Sequence, residues 1–265
     1  MTRTQLRELL ARHGVTPRPT LGQHFLADPN VVDRVVRTAR VEPGHHVLEV
    51  GPGTGNLTRA LVRAGAEVTA IELDLRLQPI LDQELAGLGV TLVWADAMDV
   101  DYEALIRPPG WKVVANLPYQ IGTSLLLDWL RRVPAIDAFT VMVQREVAER
   151  LVASPGSPAY GLPSVVVGLH ATAELVFKVP PQVFYPAPKV ESAVVRLLRK
   201  PASSKTEEAI RIATAGFGQR RKMLRGSLAG MFDQPSETIS KTGIDPRQRA
   251  EDLGPADFLR LAEAL

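Results

Sequence analysis

Asn116-Leu117-Pro118-Tyr119 closes the apolar run Val113-Val114-Ala115, so a predicted strand ends in an amide, a residue without a backbone N–H and a flat ring. That is an unusual way to end a core strand, but it suits a site for an aromatic amine. An amine on a heteroaromatic ring is a poor nucleophile because its lone pair is delocalised into the ring. Two acceptors that take both N–H groups favour sp³ character at nitrogen as an electrophile arrives. The Asn116 side-chain oxygen can be one acceptor and the Leu117 carbonyl the other. Pro118 fixes the turn, and Tyr119 offers a face on which a base can stack. Taken alone, the four residues also fit a rigid turn that packs a tyrosine.

The electrophile must come from a neighbouring site, and Glu49-Val50-Gly51-Pro52-Gly53-Thr54-Gly55 is the candidate. Glycines between a predicted strand and helix let the backbone approach a ligand closely, and the helix N-terminus favours partial negative charge. Dinucleotide folds use G-x-G-x-x-G, but here the third glycine comes one position early, at Gly55, and Asn56 stands where that pattern needs it. G-x-G-x-G preceded by an acid looks instead like the fold of S-adenosylmethionine (SAM) methyltransferases. Glu72, 17 positions after Gly55, ends the next strand, where a carboxylate can accept ribose hydroxyls of NAD or SAM alike. Asp96 ends the third strand and can face an adenine amino group. One such acid can be merely solvated; three consecutive strand ends with fitting groups weaken that reading. Asn116–Tyr119 itself resembles the (Asp/Asn)-Pro-Pro-(Tyr/Phe) element of amino-methylating enzymes, with Leu at the second position. SAM is already activated by its sulfonium, so positioning and electrostatics suffice without a covalent intermediate.

Residues so far apart in sequence need a frame that gathers strand ends. From residue 45 to about 145, apolar runs such as HHVLEV, AEVTAIELD, VTLVWADAMD and WKVVANLPY alternate with helical patterns of about ten residues. That alternation implies parallel βαβ units and a doubly wound α/β sheet, whose ligands bind at the carboxyl ends of the strands. A Pro/Gly/Ser loop is expected at 154–164. After a polar stretch near residue 203 the patterns are helical, with Ser236 and Asp257 as expected caps. The expected division is a catalytic domain over 1–202 and a small all-helical domain over 203–265. The 45% hydrophobic and 23% charged fractions are those of an ordinary soluble globular protein. Without cysteine there is no disulfide, no thiolate nucleophile and no Cys-ligated zinc. No apolar run is long enough for a membrane span and the N-terminus does not read as a secretory signal, so a cytoplasmic protein is expected.

Net charge is only +2, so distribution matters more than balance. Arg3, Arg7, Arg12 and Arg18 form one basic cluster, and Arg220, Arg221, Lys222 and Arg225 another. Either can be a solvated face or a grip on phosphates. Arginine outnumbers lysine 24 to 7 and asparagine is scarce, a bias that suits a thermophile or a GC-rich genome equally.

GQHFL (22–26), LEVGPGTGNLT (48–58), NLPYQIGTSLL (116–126), MVQREVAERL (142–151), YGLPSVVV (160–167), VFYPAPKVESAVVRL (183–197) and FGQRRKMLRGSL (217–228) together resemble the ribosomal RNA adenine N6-dimethyltransferase family, most closely its bacterial small-subunit (16S) branch. The resemblance runs from about residue 18 to the C-terminus. It implies a Rossmann-like SAM-dependent methyltransferase domain with a small helical C-terminal domain. It also implies SAM-dependent dimethylation of two adjacent adenosines in a hairpin loop near the 3′ end of 16S rRNA, in an immature small ribosomal subunit. By the same resemblance His24 and Leu26 contact the methionine part of SAM, Gly51 and Gly53 line that region, Glu72 holds the ribose and Asp96 the adenine. Asn116 then lies between cofactor and target, and Phe184 walls the base pocket opposite Tyr119. No metal is expected, and the protein is expected to act as a monomer. Many relatives carry Asn where this chain has His24. Two rivals share the fold: a large-subunit rRNA adenine methyltransferase of the macrolide-resistance type, and a non-catalytic assembly or transcription factor. The GQRRK segment and FYPAPKVES favour the small-subunit branch over the first. Intact Glu72, Asn116 and Tyr119 argue against the second.

Overall fold

The structure is a computed structural model that describes residues 1–265, the side chain of Pro19 excepted. Its strands are β1 (Phe25–Leu26), β2 (His46–Val50), β3 (Glu67–Glu72), β4 (Thr91–Trp94), β5 (Trp111–Asn116), β6 (Ile136–Gln144), β7 (Ala171–Val179), β8 (Phe184–Tyr185) and β9 (Ser192–Arg199). The helices are α1 (Arg3–Arg12), α2 (Pro29–Ala39), α3 (Asn56–Arg63), α4 (Gln78–Glu84), α5 (Tyr102–Leu105), α6 (Gly122–Arg132), α7 (Arg145–Leu151), α8 (Leu162–His170), α9 (Thr206–Gly218), α10 (Leu224–Ser227), α11 (Pro235–Lys241) and α12 (Pro255–Glu263).

Seven strands form one sheet in the order β4-β3-β2-β5-β6-β9-β7. β2, β3, β4, β5 and β6 are parallel, and β9 runs antiparallel to β6. This is the doubly wound Rossmann order with one antiparallel strand inserted before the last. The central strands are mostly apolar in their interiors because helices cover both faces, with polar residues such as Glu49, Glu72 and Asn116 gathered towards their carboxyl ends. Val47, Val114, Met142 and Val194 pack with Val32 and Val35 of α2 and with Leu57 and Leu61 of α3. Strand order reverses at β2, which has β3 on one side and β5 on the other, so a crevice opens beyond its carboxyl end. β1 and β8 pair antiparallel, Phe25 opposite Tyr185 and Leu26 opposite Phe184. That small ribbon fastens GQHFL to FYPAP. No helix is long and apolar enough among the described residues to cross a membrane.

The chain divides into two compact units: Met1–Ala148 with Glu174–Leu198, and Glu149–Ala173 with Arg199–Leu265. The second thus takes 149–173 as well as the helical C-terminus, where the sequence suggests a single cut near residue 202. Within it, α8 lies so close to α12 that a Cβ on Gly168 would meet Pro255 Cγ at 2.5 Å. Tyr160 donates to the Leu253 carbonyl at 2.7 Å, and Phe217 stands between Tyr160 and the fully buried Phe258. The expected cap Ser236 lies inside α11, whose N-cap is Gln234 ahead of Pro235. Asp257 sits at the third position of α12, where its Oδ2 accepts Gly254 N at 2.8 Å.

Candidate active site

The crevice is a cavity lined by the ends of four neighbouring strands: Glu49 to Thr54 after β2, Ile71 to Leu73 at β3, Ala95 to Ala97 after β4, and Asn116 and Pro118 at β5. His24, Phe25 and Leu26 close it from the side of β1. Gly51, Gly53 and Gly55 have φ of 70°, 60° and 77°, a left-handed region that side chains rarely adopt. One close approach needs the missing Cβ: at Gly53 it would lie 2.7 Å from Phe25, whereas at Gly51 the nearest atom, of Pro118, stands at an ordinary contact distance of 3.6 Å. Asn56, which interrupts the dinucleotide spacing, is buried; its Nδ2 donates to the Leu26 carbonyl at 2.7 Å and ties β1 to the start of α3.

Glu72 serves the turn as well as the cavity. Its Oε2 accepts Gly53 N at 3.2 Å, while Oε1 accepts Leu73 N at 3.0 Å and Asp74 N at 2.9 Å. Burial nonetheless raises its pKa, those backbone hydrogen bonds opposing the rise. Asp96 is half-buried, and its Oδ1 accepts Met98 N at 2.9 Å. Glu49, at 1% exposure, has no partner for Oε2. Burial pushes its pKa up to about 8, with the Thr58 hydroxyl beside it opposing and the Glu72 charge adding. The lining therefore holds three acids and no lysine or arginine. A pyrophosphate would find no lysine or arginine here to neutralise it, whereas a ligand with hydroxyl and amine hydrogens to donate fits.

The Asn116 amide is half-spent. Nδ2 donates to the His24 carbonyl at 3.1 Å, which assigns the amide's orientation and leaves Oδ1 buried without a partner. The Leu117 N–H donates to the Met142 carbonyl at 3.1 Å, and its own carbonyl accepts no hydrogen bond among the described residues. Tyr119 is fixed at both ends: its hydroxyl shares a 2.6 Å hydrogen bond with Ser192 Oγ, and its ring stacks on the His24 imidazole, centroids 5.4 Å apart. Burial raises the tyrosine's pKa, with the Ser192 hydrogen bond opposing. The imidazole pairs through Nδ1 with the Pro186 carbonyl at 2.8 Å. Three segments far apart in sequence thus meet at one place.

Phe184 departs from expectation. It is 0% exposed and packs with Leu26, Phe177, Val179 and Val194, so it presents no surface to a base. Its pairing opposite Leu26 turns the ring into the core, and one face of Tyr119 is occupied by His24 instead. Arg220, Arg221, Lys222 and Arg225 lie in the second unit and are exposed. The first three occupy a turn after α9, closed by Lys222 N donating to the Gln219 carbonyl at 2.8 Å, and Arg225 is on α10. Arg220 is paired with Glu251 at 2.8 Å, leaving the other three more available to a ligand.

Sequence reasoning assigned no ligand role to Glu49, although the acid before the glycine turn was visible. It also missed a bracket with no local signature. Gln23 donates to buried Asp74 at 2.7 Å, Arg76 grips the same carboxylate at 2.5 Å, and Arg76 also reaches the Thr16 carbonyl at 3.2 Å. Burial works against the Asp74 charge, but the hydrogen bonds from Arg76 and Gln23 bring its pKa below the ordinary value.

A doubly wound sheet with an inserted antiparallel strand, an acid-rich nucleoside cavity at its switch point and a free amide oxygen at the next strand end defines an α/β methyltransferase acting on an amine. Residues 14–265 match the family described as ribosomal RNA adenine dimethylase. The chain is 45% identical over 264 residues to ribosomal RNA small subunit methyltransferase A of Phenylobacterium zucineum, covering 98% of this chain and 92% of that one. It is 43% identical over 266 residues to the protein of the same name from Deinococcus radiodurans, covering 98% and 90%. Among solved structures it resembles a dimethyladenosine transferase from Plasmodium falciparum, with a TM-score of 0.76, 25% identity and coverage of 90% and 96%. The 23S rRNA methyltransferase ErmE superposes with a TM-score of 0.73 at 29% identity, covering 91% and 99%. The chain belongs to the ribosomal RNA adenine dimethylase family.

Proposed function

We propose that the protein dimethylates the N6 amines of two adjacent adenosines in a hairpin loop near the 3′ end of 16S rRNA, with SAM as donor. The observation that carries this reading is the buried, unpartnered Asn116 Oδ1 beside the free Leu117 carbonyl. Bound SAM supplies a methyl group on a sulfonium. Glu72 would accept its ribose hydroxyls and Asp96 its adenine amine, while Gly51 and Gly53 admit its methionine part and His24 and Leu26 close over it. Asn116 Oδ1 and the Leu117 carbonyl would accept the two N–H groups of the unmodified amine, and one of them the single N–H left after the first transfer, turning the lone pair towards the methyl group. Each transfer leaves S-adenosylhomocysteine and one amine proton that passes to solvent. Pro118 holds the turn, and the ring of Tyr119 meets the base with its edge and the face that His24 leaves open. Extruding an adenosine is least costly in a loop, where stacking is already incomplete.

The relatives named for the small subunit support 16S rRNA over the large-subunit alternative, since their identity to this chain is well above that of ErmE. An immature small subunit in the cytoplasm is the substrate we infer, met by a monomer, with Arg221, Lys222 and Arg225 gripping phosphates near the loop. Labelled SAM offered to undermethylated small subunits, large subunits and protein-free RNA tests the reading. Label in small-subunit RNA supports it; label confined to large-subunit RNA overturns it.

A further inference from the structure

An open cavity of about 410 Å³ lies between α2 and the strands β7 and β9, lined by Arg34, Arg37, Arg40 and Arg196 with Glu174 as its one acid. It shares no lining residue with the cofactor cavity. Basic residues suit a helix C-terminus, and that accounts for part of the cluster. The last carbonyls of α2 are, however, already served by Lys112, whose Nζ reaches those of Ala39 at 3.5 Å and Arg40 at 2.5 Å. Arg37 and Arg40 have no ion-pair partner among the described residues and are exposed. Arg196 is the opposite case. Its side chain is 14% exposed, yet its acidic partner, at 3.5 Å, is Glu174 at 62% exposure. A largely buried guanidinium set against one solvated carboxylate is under-compensated. Arg34 lies 3.8 Å over the Phe177 ring, which holds its plane. Two guanidinium groups are thus held in place and two are free, facing one cavity.

We propose that this cavity is a second RNA-docking site, which takes backbone phosphates of the ribosomal substrate outside the target loop. The proposal rests on the reading that the substrate is ribosomal RNA. Guanidinium forks bind phosphate oxygens two at a time, and RNA offers a row of phosphates where a small anion would engage only part of an open basin. Such contacts add salt-dependent affinity without reading sequence.

The test is binding of the full-length protein to undermethylated small subunits across a salt series, for the parent, Arg37→Ala/Arg40→Ala and Arg37→Lys/Arg40→Lys. Both sites are exposed, so the variants are expected to unfold at the parental temperature and bind SAM as the parent does. The alanine pair is expected to flatten the log–log salt slope by about 1.5 and to weaken binding roughly tenfold or more at ~0.1 M salt, and the lysine pair to restore most of both. An unchanged slope in the alanine pair overturns the proposal. So does loss of inorganic pyrophosphate binding while the RNA slope stays intact, which would assign the cavity to a small anion. Failure of the functional reading looks different: there the parent itself shows neither binding to small subunits nor methyl transfer.

Discussion

Asn116 differs from an ordinary strand-end amide in the atom it leaves free. Its nitrogen is used by the His24 carbonyl, so the acceptor oxygen is left for a donor that must arrive from outside. Asn116→Ala is therefore expected to lower methyl transfer by about 10²-fold or more, with SAM affinity changed only a few-fold. Near-parental turnover would remove Asn116 from the mechanism. Glu49 carries a second consequence. Its carboxyl ordinarily titrates near 4.5 and in the fold near 8, so the folded protein holds the proton more tightly than the unfolded chain. The stability this gives is complete below pH 4.5 and is lost as pH rises towards 8, at a cost on the order of a few kcal/mol. Glu49→Gln never ionises. In the absence of SAM it is expected to unfold roughly 5 °C or more above the parent at pH 8, the gap closing towards pH 5. A gap equal at both pH values would contradict a protonated Glu49. Asn116 was legible because its neighbours are rare in a strand. The coverage of Tyr119 by His24 was not, since it depends on Pro186, Tyr119 and His24 meeting from three segments.

Gly53 and Gly87 both have positive φ, 60° and 71°, but only at Gly53 would a Cβ meet a neighbour, Phe25 at 2.7 Å. Gly87→Ala isolates backbone strain and is expected to cost about 1 kcal/mol in thermal unfolding. Gly53→Ala adds a clash and should cost roughly 1–3 kcal/mol more, with weaker SAM binding because Phe25 closes the cavity. Equal costs at the two positions would show that close approach to Phe25 is not what requires the glycine. The parallel strands were readable because burial on both faces fills their interiors with short apolar runs. The break between α9 and α10 was not: an unbroken helical pattern over 207–228 hides the turn at Gln219–Met223, where Arg220, Arg221 and Lys222 sit. Phe184 misled for another reason. Its place in the base pocket is implied by the family resemblance alone, and only its complete burial in the fold shows the ring turned into the core.

At the scale of the whole molecule, a net charge of +2 gives no sign of a polyanionic partner. Charge is instead sorted, acids into the cofactor cavity and unpaired arginines onto two surfaces that do not line it. The two-unit division was only half legible. A composition shift marks residue 203, but the inclusion of 149–173 depends on α8 meeting α12, a contact that no local pattern announces. The central claim, that Asn116 presents N6 amines of small-subunit RNA to a methyl donor, is tested most directly at the product. Small subunits lacking the modification would be treated with SAM and either the parent or Asn116→Ala, and the 3′-terminal hairpin fragment weighed by mass spectrometry. The account predicts that the parent places two methyl groups on each of two adjacent adenosines and that the variant leaves the fragment unmodified. Methyl groups on another base, or full dimethylation by the variant, would contradict it.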